Sequence, residues 1–110
     1  MIKVNKLITE TLKTLGVPIC RGHYRGTERD WIRYELIDIG AEIFHDGKSS
    51  GRVYAYNAWI NTEGSPDYLA ERAAEALEAA GFYGFRFEDA SYEENTGLNR
   101  IMIEFAYMEI

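Results

Sequence analysis

The last twenty residues, SYEENTGLNRIMIEFAYMEI, constrain the fold most strongly because they alternate apolar and polar side chains over a long stretch. Alternation with a period of two predicts a half-buried strand. Its apolar face is formed by Ile101, Ile103, Phe105 and Tyr107. Residues 95–97, Asn-Thr-Gly, are typical of a turn. We therefore expect this strand to form a hairpin with the preceding segment FYGFRFEDASYEE, paired over its length.

Two earlier segments alternate in the same way and predict two further strands. Residues 31–39, WIRYELIDI, have one apolar and one polar face. Residues 52–63, RVYAYNAWINTE, are fairly apolar on both faces, with Val53 and Trp59 on the second face, which predicts a central strand. Residues 45–51, HDGKSSG, have the composition of a turn. The two strands are therefore expected to pair as an antiparallel hairpin.

Two other segments have helical periodicity. Near the amino terminus, apolar side chains recur at helical spacing over about 13 residues, and Gly16 ends the pattern. The segment SPDYLAERAAEALEAAGF predicts a second helix. Ser65 is its predicted N-cap, Pro66 suits the first helical position, and Gly81 supplies the left-handed cap at its end.

The order of these elements predicts one α+β domain over residues 1–110. It has two layers, a mainly antiparallel sheet of four or more strands and helices packed on one face of that sheet. A length of 110 residues fits a single domain, and no linker or repeat divides the chain. The second face of the sheet meets either water or a partner. A partner is favoured by the large apolar side chains Val53, Trp59, Tyr83 and Tyr92.

Charge and cysteine content exclude several classes of protein. A formal net charge of −6 argues against a protein that grips duplex DNA, which needs Lys and Arg to displace phosphate counterions. Cys20 is the only cysteine, so no intramolecular disulfide forms, and the composition fits a reducing cytoplasm. No secretory signal and no membrane-spanning apolar run are visible. We therefore expect a soluble intracellular protein without membrane contact.

No set of residues predicts catalysis or a bound cofactor. Cys20 and His23 supply at most two of the four ligands of a zinc site, and the other histidine, His45, has only Asp46 beside it. The serines fit turn or cap positions, and no glycine-rich phosphate-binding motif occurs. The sequence therefore predicts no enzyme, no metal site and no cofactor.

Two charged groups of residues remain as candidate contact sites. The basic loop, residues 21–30, contains Arg21, Tyr24, Arg25 and Arg29. It is either a solvated loop or a contact to a partner protein or a passing phosphate backbone. The acidic cluster, near the predicted hairpin tip, consists of Glu88, Asp89, Glu93 and Glu94. It is either a solubilising tip or part of a negatively charged surface.

The segments LGVPI, WIRYEL, VYAYNAWINTEG, SPDYLAERAAEALEAAGF and YEENTGLNRIMIEFAY occur in an order that resembles the tail terminator proteins of long-tailed bacteriophages and prophages. These proteins are also called tail completion or head–tail joining proteins. The resemblance spans nearly the whole chain. Its most specific points are Gly81-Phe82 at the helix exit and Gly97-Leu98 in the turn. This chain has Asn99 and Arg100 after Leu98, where the family often carries a histidine.

The resemblance implies a structural virion protein without a catalytic centre. Such proteins form a ring, commonly a hexamer, which caps the finished tail tube, ends its polymerisation and joins the tail to the head connector. The implied partners are further copies of the chain, the tail tube protein and the head connector protein, and the free chain can still be monomeric. DNA passes through the ring without specific binding. The implied location is the bacterial cytoplasm during assembly, then the neck of the virion.

This interpretation gives each candidate group of residues a role. Val53, Trp59 and Tyr92 are predicted to contact neighbouring subunits. The acidic cluster is predicted to line the pore, because a basic lining would hold DNA. The basic loop is predicted to contact the tube or the connector. Two other interpretations stay open: another neck, head-closure or minor tail component, and a small ligand-binding α+β domain or enzyme with a concave polar pocket.

Overall fold

The sheet has six strands. The computed structural model describes the backbone of residues 1–45 and 48–110. It describes the side chains of residues 1–40 and 51–110. The helices are α1 (Ile2–Lys13) and α2 (Asp67–Ala79). The strands are β1 (Ile19–Arg21), β2 (Trp31–His45), β3 (Lys48–Thr62), β4 (Tyr83–Phe87), β5 (Ser91–Glu93) and β6 (Leu98–Glu109). Their order across the sheet is β1-β2-β3-β6-β4, and β5 also pairs with β6. Only the β1–β2 pair is parallel among the described pairs, so the predicted α+β class with a mainly antiparallel sheet is confirmed.

Both helices lie on one face of this sheet, as predicted. From the helices, the buried apolar residues are Val4, Ile8, Leu12, Ala70, Ala73 and Leu77. From the central strands, they include Ile32, Tyr34, Tyr56, Ala58, Ile60, Ile101, Ile103 and Phe105, which the pairing register places on a single face. Alanine at two of the three buried α2 positions leaves room for this helix to approach the sheet closely.

A buried polar network fixes α1 on the sheet. The Tyr56 hydroxyl donates a hydrogen bond of 2.7 Å to Asn5 Oδ1. The Tyr34 hydroxyl donates to the backbone carbonyl of Asn5 at 3.1 Å and lies 2.8 Å from the Thr9 hydroxyl. Burial raises the pKa of Tyr56 to about 12. Tyr34 and Tyr56, two of the eight tyrosines of the chain, therefore serve the core rather than an interface.

The β2–β3 hairpin extends beyond the rest of the sheet. Its pairing runs from Trp31 opposite Asn61 to His45 opposite Lys48, whereas β6 pairs with β3 only as far as Arg52 opposite Glu109. Residues 43–45 and 48–51 therefore form a two-stranded ribbon past the end of β6. The predicted turn at 45–51 is wrong for His45, which ends β2, and for residues 48–51, which begin β3. Residues 46–47 lie outside the described residues.

Two strands differ from the sequence-based expectation. Arg21, predicted to open the basic loop, ends β1, because the Ile32 amide donates to the Pro18 carbonyl at 2.9 Å and holds this segment parallel to β2. The strand before the terminal turn is not continuous. It splits into β4 and β5, which both pair with β6, and a register shift between Tyr83 and Arg86 interrupts β4.

The start of α2 corrects the predicted cap. The helix begins at Asp67 with Pro66 as N-cap, so Pro66 stands one position earlier than predicted. The Ser65 hydroxyl accepts only a long hydrogen bond, 3.4 Å, from the Asp67 amide, in an exposed position. A full N-cap bond contributes about 1 kcal/mol. We expect Ser65→Ala to cost less than about 0.5 kcal/mol in a denaturant titration, because this bond is long and hydrated. A loss of about 1 kcal/mol or more would restore the full cap assignment.

Candidate assembly surface

The sheet face opposite the helices, called the open face below, is left largely uncovered by the described elements. Strand register assigns its side chains, which lie in rows across β2, β3 and β6. They include Arg33, Glu35, Val53, Ala55, Asn57, Trp59, Met102, Glu104, Ala106 and Met108. Most are half-buried by one another and combine apolar with charged groups. An uncovered face of this composition is typical of a surface that meets another protein.

Trp59 lies in the middle strand of the open face and is held in place from the side. By register it stands between Arg33 on β2 and Met102 on β6. The Arg33 guanidinium lies 3.8 Å from the centroid of the Trp59 ring, and its Nη1 is 2.6 Å from Glu35 Oε1. The cation–π contact orients the ring before any partner arrives. Val53 lies on the same face, as the alternation predicted.

The basic loop folds over one end of the open face. The Tyr24 ring stacks on the Trp31 ring, with centroids 4.5 Å apart. Together with His23, Arg33 and Leu98 these rings line a cavity of about 370 Å³. Leu98 is buried although it lies outside the main core. The loop therefore shields apolar surface at this end and leaves the rest of the open face free.

Arg29 ties the basic loop to the turn between β5 and β6. Its guanidinium donates to the carbonyl of Thr96 at 3.1 Å and to that of Gly97 at 3.4 Å. It also lies 3.8 Å from the Glu63 carboxylate. Gly97 has a left-handed φ of 71°, and a Cβ there would meet the Arg29 guanidinium at 3.4 Å. Arg29 thus holds the loop, whereas Arg25 is exposed with its basic group open to a partner.

The acidic cluster lies along the outer edge of β6 on the β4–β5 side. Glu88 and Asp89 lie between β4 and β5, Glu93 ends β5, and Glu94 follows it. The Glu93 carboxylate lies 3.8 Å from Arg100 Nη2 and accepts a hydrogen bond from the Asn95 amide. Because Arg29 binds the turn just after Glu94, part of the acidic cluster and the basic loop share one end of the molecule rather than separate surfaces.

Tyr92 lies on the opposite side of the sheet from Val53 and Trp59. It pairs with Asn99, which pairs with the buried Thr62, and these positions share the helix-bearing side of the sheet. The Tyr92 ring itself is exposed. The three predicted subunit contacts therefore form two separate surfaces. Two different surfaces are what a head-to-tail contact between identical subunits requires.

Sequence reasoning missed two free strand edges. β1 pairs with β2 only opposite Ile32–Tyr34, so within the described part of the chain the following residues of β2 have no neighbour on that side. The opposite edge of the sheet is β4. Both edges expose large apolar side chains: Ile37 is 54% and Ile39 40% exposed on β2, and Tyr83 is 42% and Phe87 50% exposed on β4. The residues were visible in the sequence, but their edge position depends on strand order.

The remaining concave features lack a catalytic arrangement within the described residues. A groove of about 450 Å³ between α1 and the end of β6 has a mixed lining of apolar residues and of four charged ones, Lys3, Lys6, Glu10 and Glu109. Burial raises the pKa of the Cys20 thiol, with a smaller opposing effect of Arg33. Among the described residues, no group of three or more His, Cys, Asp or Glu side chains is arranged so that it could hold a metal ion. The side chain of His45, and Asp46, lie outside the described residues.

Neither described helix combines the length and hydropathy that a membrane span requires.

Comparison with known proteins gives a distant structural likeness. No protein-family model matches this chain, and no curated protein matches it. Among solved structures, a chain of the "Virion of native gene transfer agent (GTA) particle" matches with a TM-score of 0.46 and 17% sequence identity. The match covers 90% of this chain and 81% of that chain.

Proposed function

We propose that this chain is a structural protein of a bacteriophage or prophage particle and assembles with copies of itself into a ring at the head-proximal end of the tail tube. In this role it ends tube polymerisation and joins the tail to the head connector. It is not an enzyme, and it needs no cofactor. DNA crosses the ring without being specifically bound.

The observation that carries this proposal is the pair of free edges on one sheet, flanking an uncovered face. Exposed strand edges with apolar side chains are a liability for a protein that works alone, because they pair with other chains. A ring of head-to-tail contacts covers two different surfaces of every subunit at once. The separation of Tyr92 from Val53 and Trp59 supports the same arrangement.

The charge distribution supports a passage for DNA rather than a grip on it. The chain carries a net charge of −6, and three of the four residues of the acidic cluster, Glu88, Asp89 and Glu94, are exposed along one edge of the sheet. A lining of carboxylates repels phosphate, so DNA slides past without releasing its counterions. The exposed Arg25, on the basic loop at one end of the subunit, is suited to an acidic patch on the tube or connector.

Deleting the gene from its phage or prophage tests the proposed function. We expect electron micrographs of the lysate to show tails of uncontrolled length that are not attached to heads. A plasmid copy of the wild-type gene should restore joined particles with tails of uniform length. Normal tails joined to full heads in the deletion strain would end the proposal, and uniform but unattached tails would assign the chain to another neck component.

A variant pair makes this test specific to the open face. Trp59→Asp places a charge in the centre of that face and is expected to abolish complementation. Glu75→Ala changes the exposed side of α2 and is expected to complement fully. Circular dichroism of both purified variants shows whether they are folded. Full complementation by a folded Trp59→Asp variant would show that assembly does not use this face.

A further inference from the structure

We infer that neighbouring copies of this chain join by strand addition, with the β4 edge of one copy pairing to the β2 edge of the next, so that one sheet continues from subunit to subunit. The inference rests on the self-assembly proposed above and names the surfaces that carry it. The binding partner is a second copy of this chain, and the groups that bind are the backbone amides and carbonyls of the two edge strands.

The two edges match in length and in kind. β4 has five residues and pairs only with β6 among the described strands. On β2, β1 pairs only with residues 32–34. Residues 35–40, whose side chains the structure describes, therefore have no neighbouring strand on that side. Each edge leaves a row of backbone donors and acceptors without strand partners, and each exposes two large apolar side chains beside that row. Pairing of the two edges gives these backbone groups hydrogen-bond partners and buries the apolar side chains.

The charged side chains on the two edges favour pairing of β4 with β2 over pairing of β2 with β2 or of β4 with β4. Asp38 on β2 is exposed. Its carboxylate accepts a hydrogen bond of 2.9 Å from the Ile39 amide, and Asp38 takes part in no ion pair among the described residues. Arg86 on β4 is 82% exposed, and its Nε lies 3.7 Å from Glu104. Register places both side chains on the open face. Two β2 edges would bring Asp38 against its own copy, and two β4 edges would do the same with Arg86. Like charges across strands are destabilising, whereas opposite charges stabilise the pair.

The topology also sets the direction of the joint. β4 is antiparallel to β6, β6 to β3, and β3 to β2, so β4 and β2 of one chain run in opposite directions. Rotation about a ring axis that lies along the strands keeps this relation between neighbouring copies. The β4 edge therefore meets the next β2 edge as an antiparallel pair, the commoner kind of strand pairing.

Each edge also carries a register irregularity, which limits indiscriminate pairing. On β2 it lies between Leu36 and Asp38, and on β4 it lies between Tyr83 and Arg86. Irregular edges pair poorly with ordinary straight strands and protect a protein from aggregation. A partner has to match the local bend, so the free protein stays dispersed at low concentration and joins only when copies are concentrated at the tube end.

Disulfide trapping tests the joint in purified full-length protein. In a Cys20→Ser background, the double variant Asp38→Cys, Arg86→Cys is concentrated to the millimolar range and mildly oxidised. We expect a ladder of covalent oligomers on a non-reducing gel, and mixing the two single-cysteine variants should give mainly the mixed dimer. The matched control replaces Asp38→Cys by Glu75→Cys, on the exposed side of α2, and should give no ladder.

The alternative outcomes are separable. Strong dimers of the Asp38→Cys variant with itself would indicate a two-fold β2–β2 contact and overturn the inference. No cross-link in any mixture, with folding confirmed by circular dichroism, would also overturn it. In either case the deletion experiment on whole particles still tests the proposed function, because a ring can close through other surfaces.

Discussion

Leu77→Ala is expected to lower the free energy of unfolding by about 2–5 kcal/mol. Leu77 is fully buried on α2, where it packs with the sheet residues of the core. Truncation removes its apolar contacts and leaves a cavity that the surrounding β-sheet cannot collapse to fill. Urea titration followed by circular dichroism measures the loss, and an unchanged slope of the transition shows that both proteins unfold in the same manner.

Leu69→Ala is the matched control for this substitution. Leu69 lies on the same helix and is only half-buried against the core. Its truncation removes the same atoms at a site that water already reaches, so we expect a distinctly smaller loss. Equal losses for the two variants would mean that α2 does not pack on the sheet through the face containing Leu77.

Tyr56→Phe is expected to cost about 1–3 kcal/mol, although it removes a single oxygen atom. The Tyr56 hydroxyl donates to Asn5 Oδ1 at 2.7 Å in a site where both residues are buried. Without that donor, the Asn5 oxygen stays buried with an unmet hydrogen bond. Tyr68→Phe is the control, because Tyr68 is exposed and should tolerate the change with little loss. A loss for Tyr56→Phe no larger than that of the control would exclude a stabilising role for the network.

The same substitution should change how stability depends on alkaline pH. Burial raises the pKa of Tyr56 to about 12, whereas an unfolded tyrosine titrates near 10. The neutral hydroxyl therefore contributes stability that is complete below about pH 10 and is lost as the pH rises towards 12. The wild type should lose on the order of 2 kcal/mol from this group, and Tyr56→Phe should lack that part of the slope. Parallel curves for the two proteins would contradict the assignment.

Sequence patterns predicted the elements whose signals are local and periodic. Alternation along residues 98–109 and helical spacing along residues 67–79 identified β6 and α2. β1 was missed because three residues show no period and because its parallel pairing depends on contacts with β2. The split between β4 and β5 was missed since each pairs with a different part of β6.

The candidate surface was predictable only in part, for the same physical reason. Alternation predicts Val53 and Trp59 on the second face of the sheet, and the strand register places them there. The bond from Arg29 to Thr96 joins residues 67 positions apart, and no local pattern encodes such a contact. Edge positions follow from strand order, so the exposed apolar residues of β2 and β4 could not be recognised as edges from the sequence.

The most direct test of the central claim is a cryo-electron microscopy reconstruction of the head-proximal end of the tail in particles from the parent phage or prophage. The proposal predicts a closed ring of this chain at that position, between the last tube ring and the connector, with a hole wide enough for duplex DNA. Absence of the chain from this ring, or its presence only at another site in the particle, would contradict the proposal.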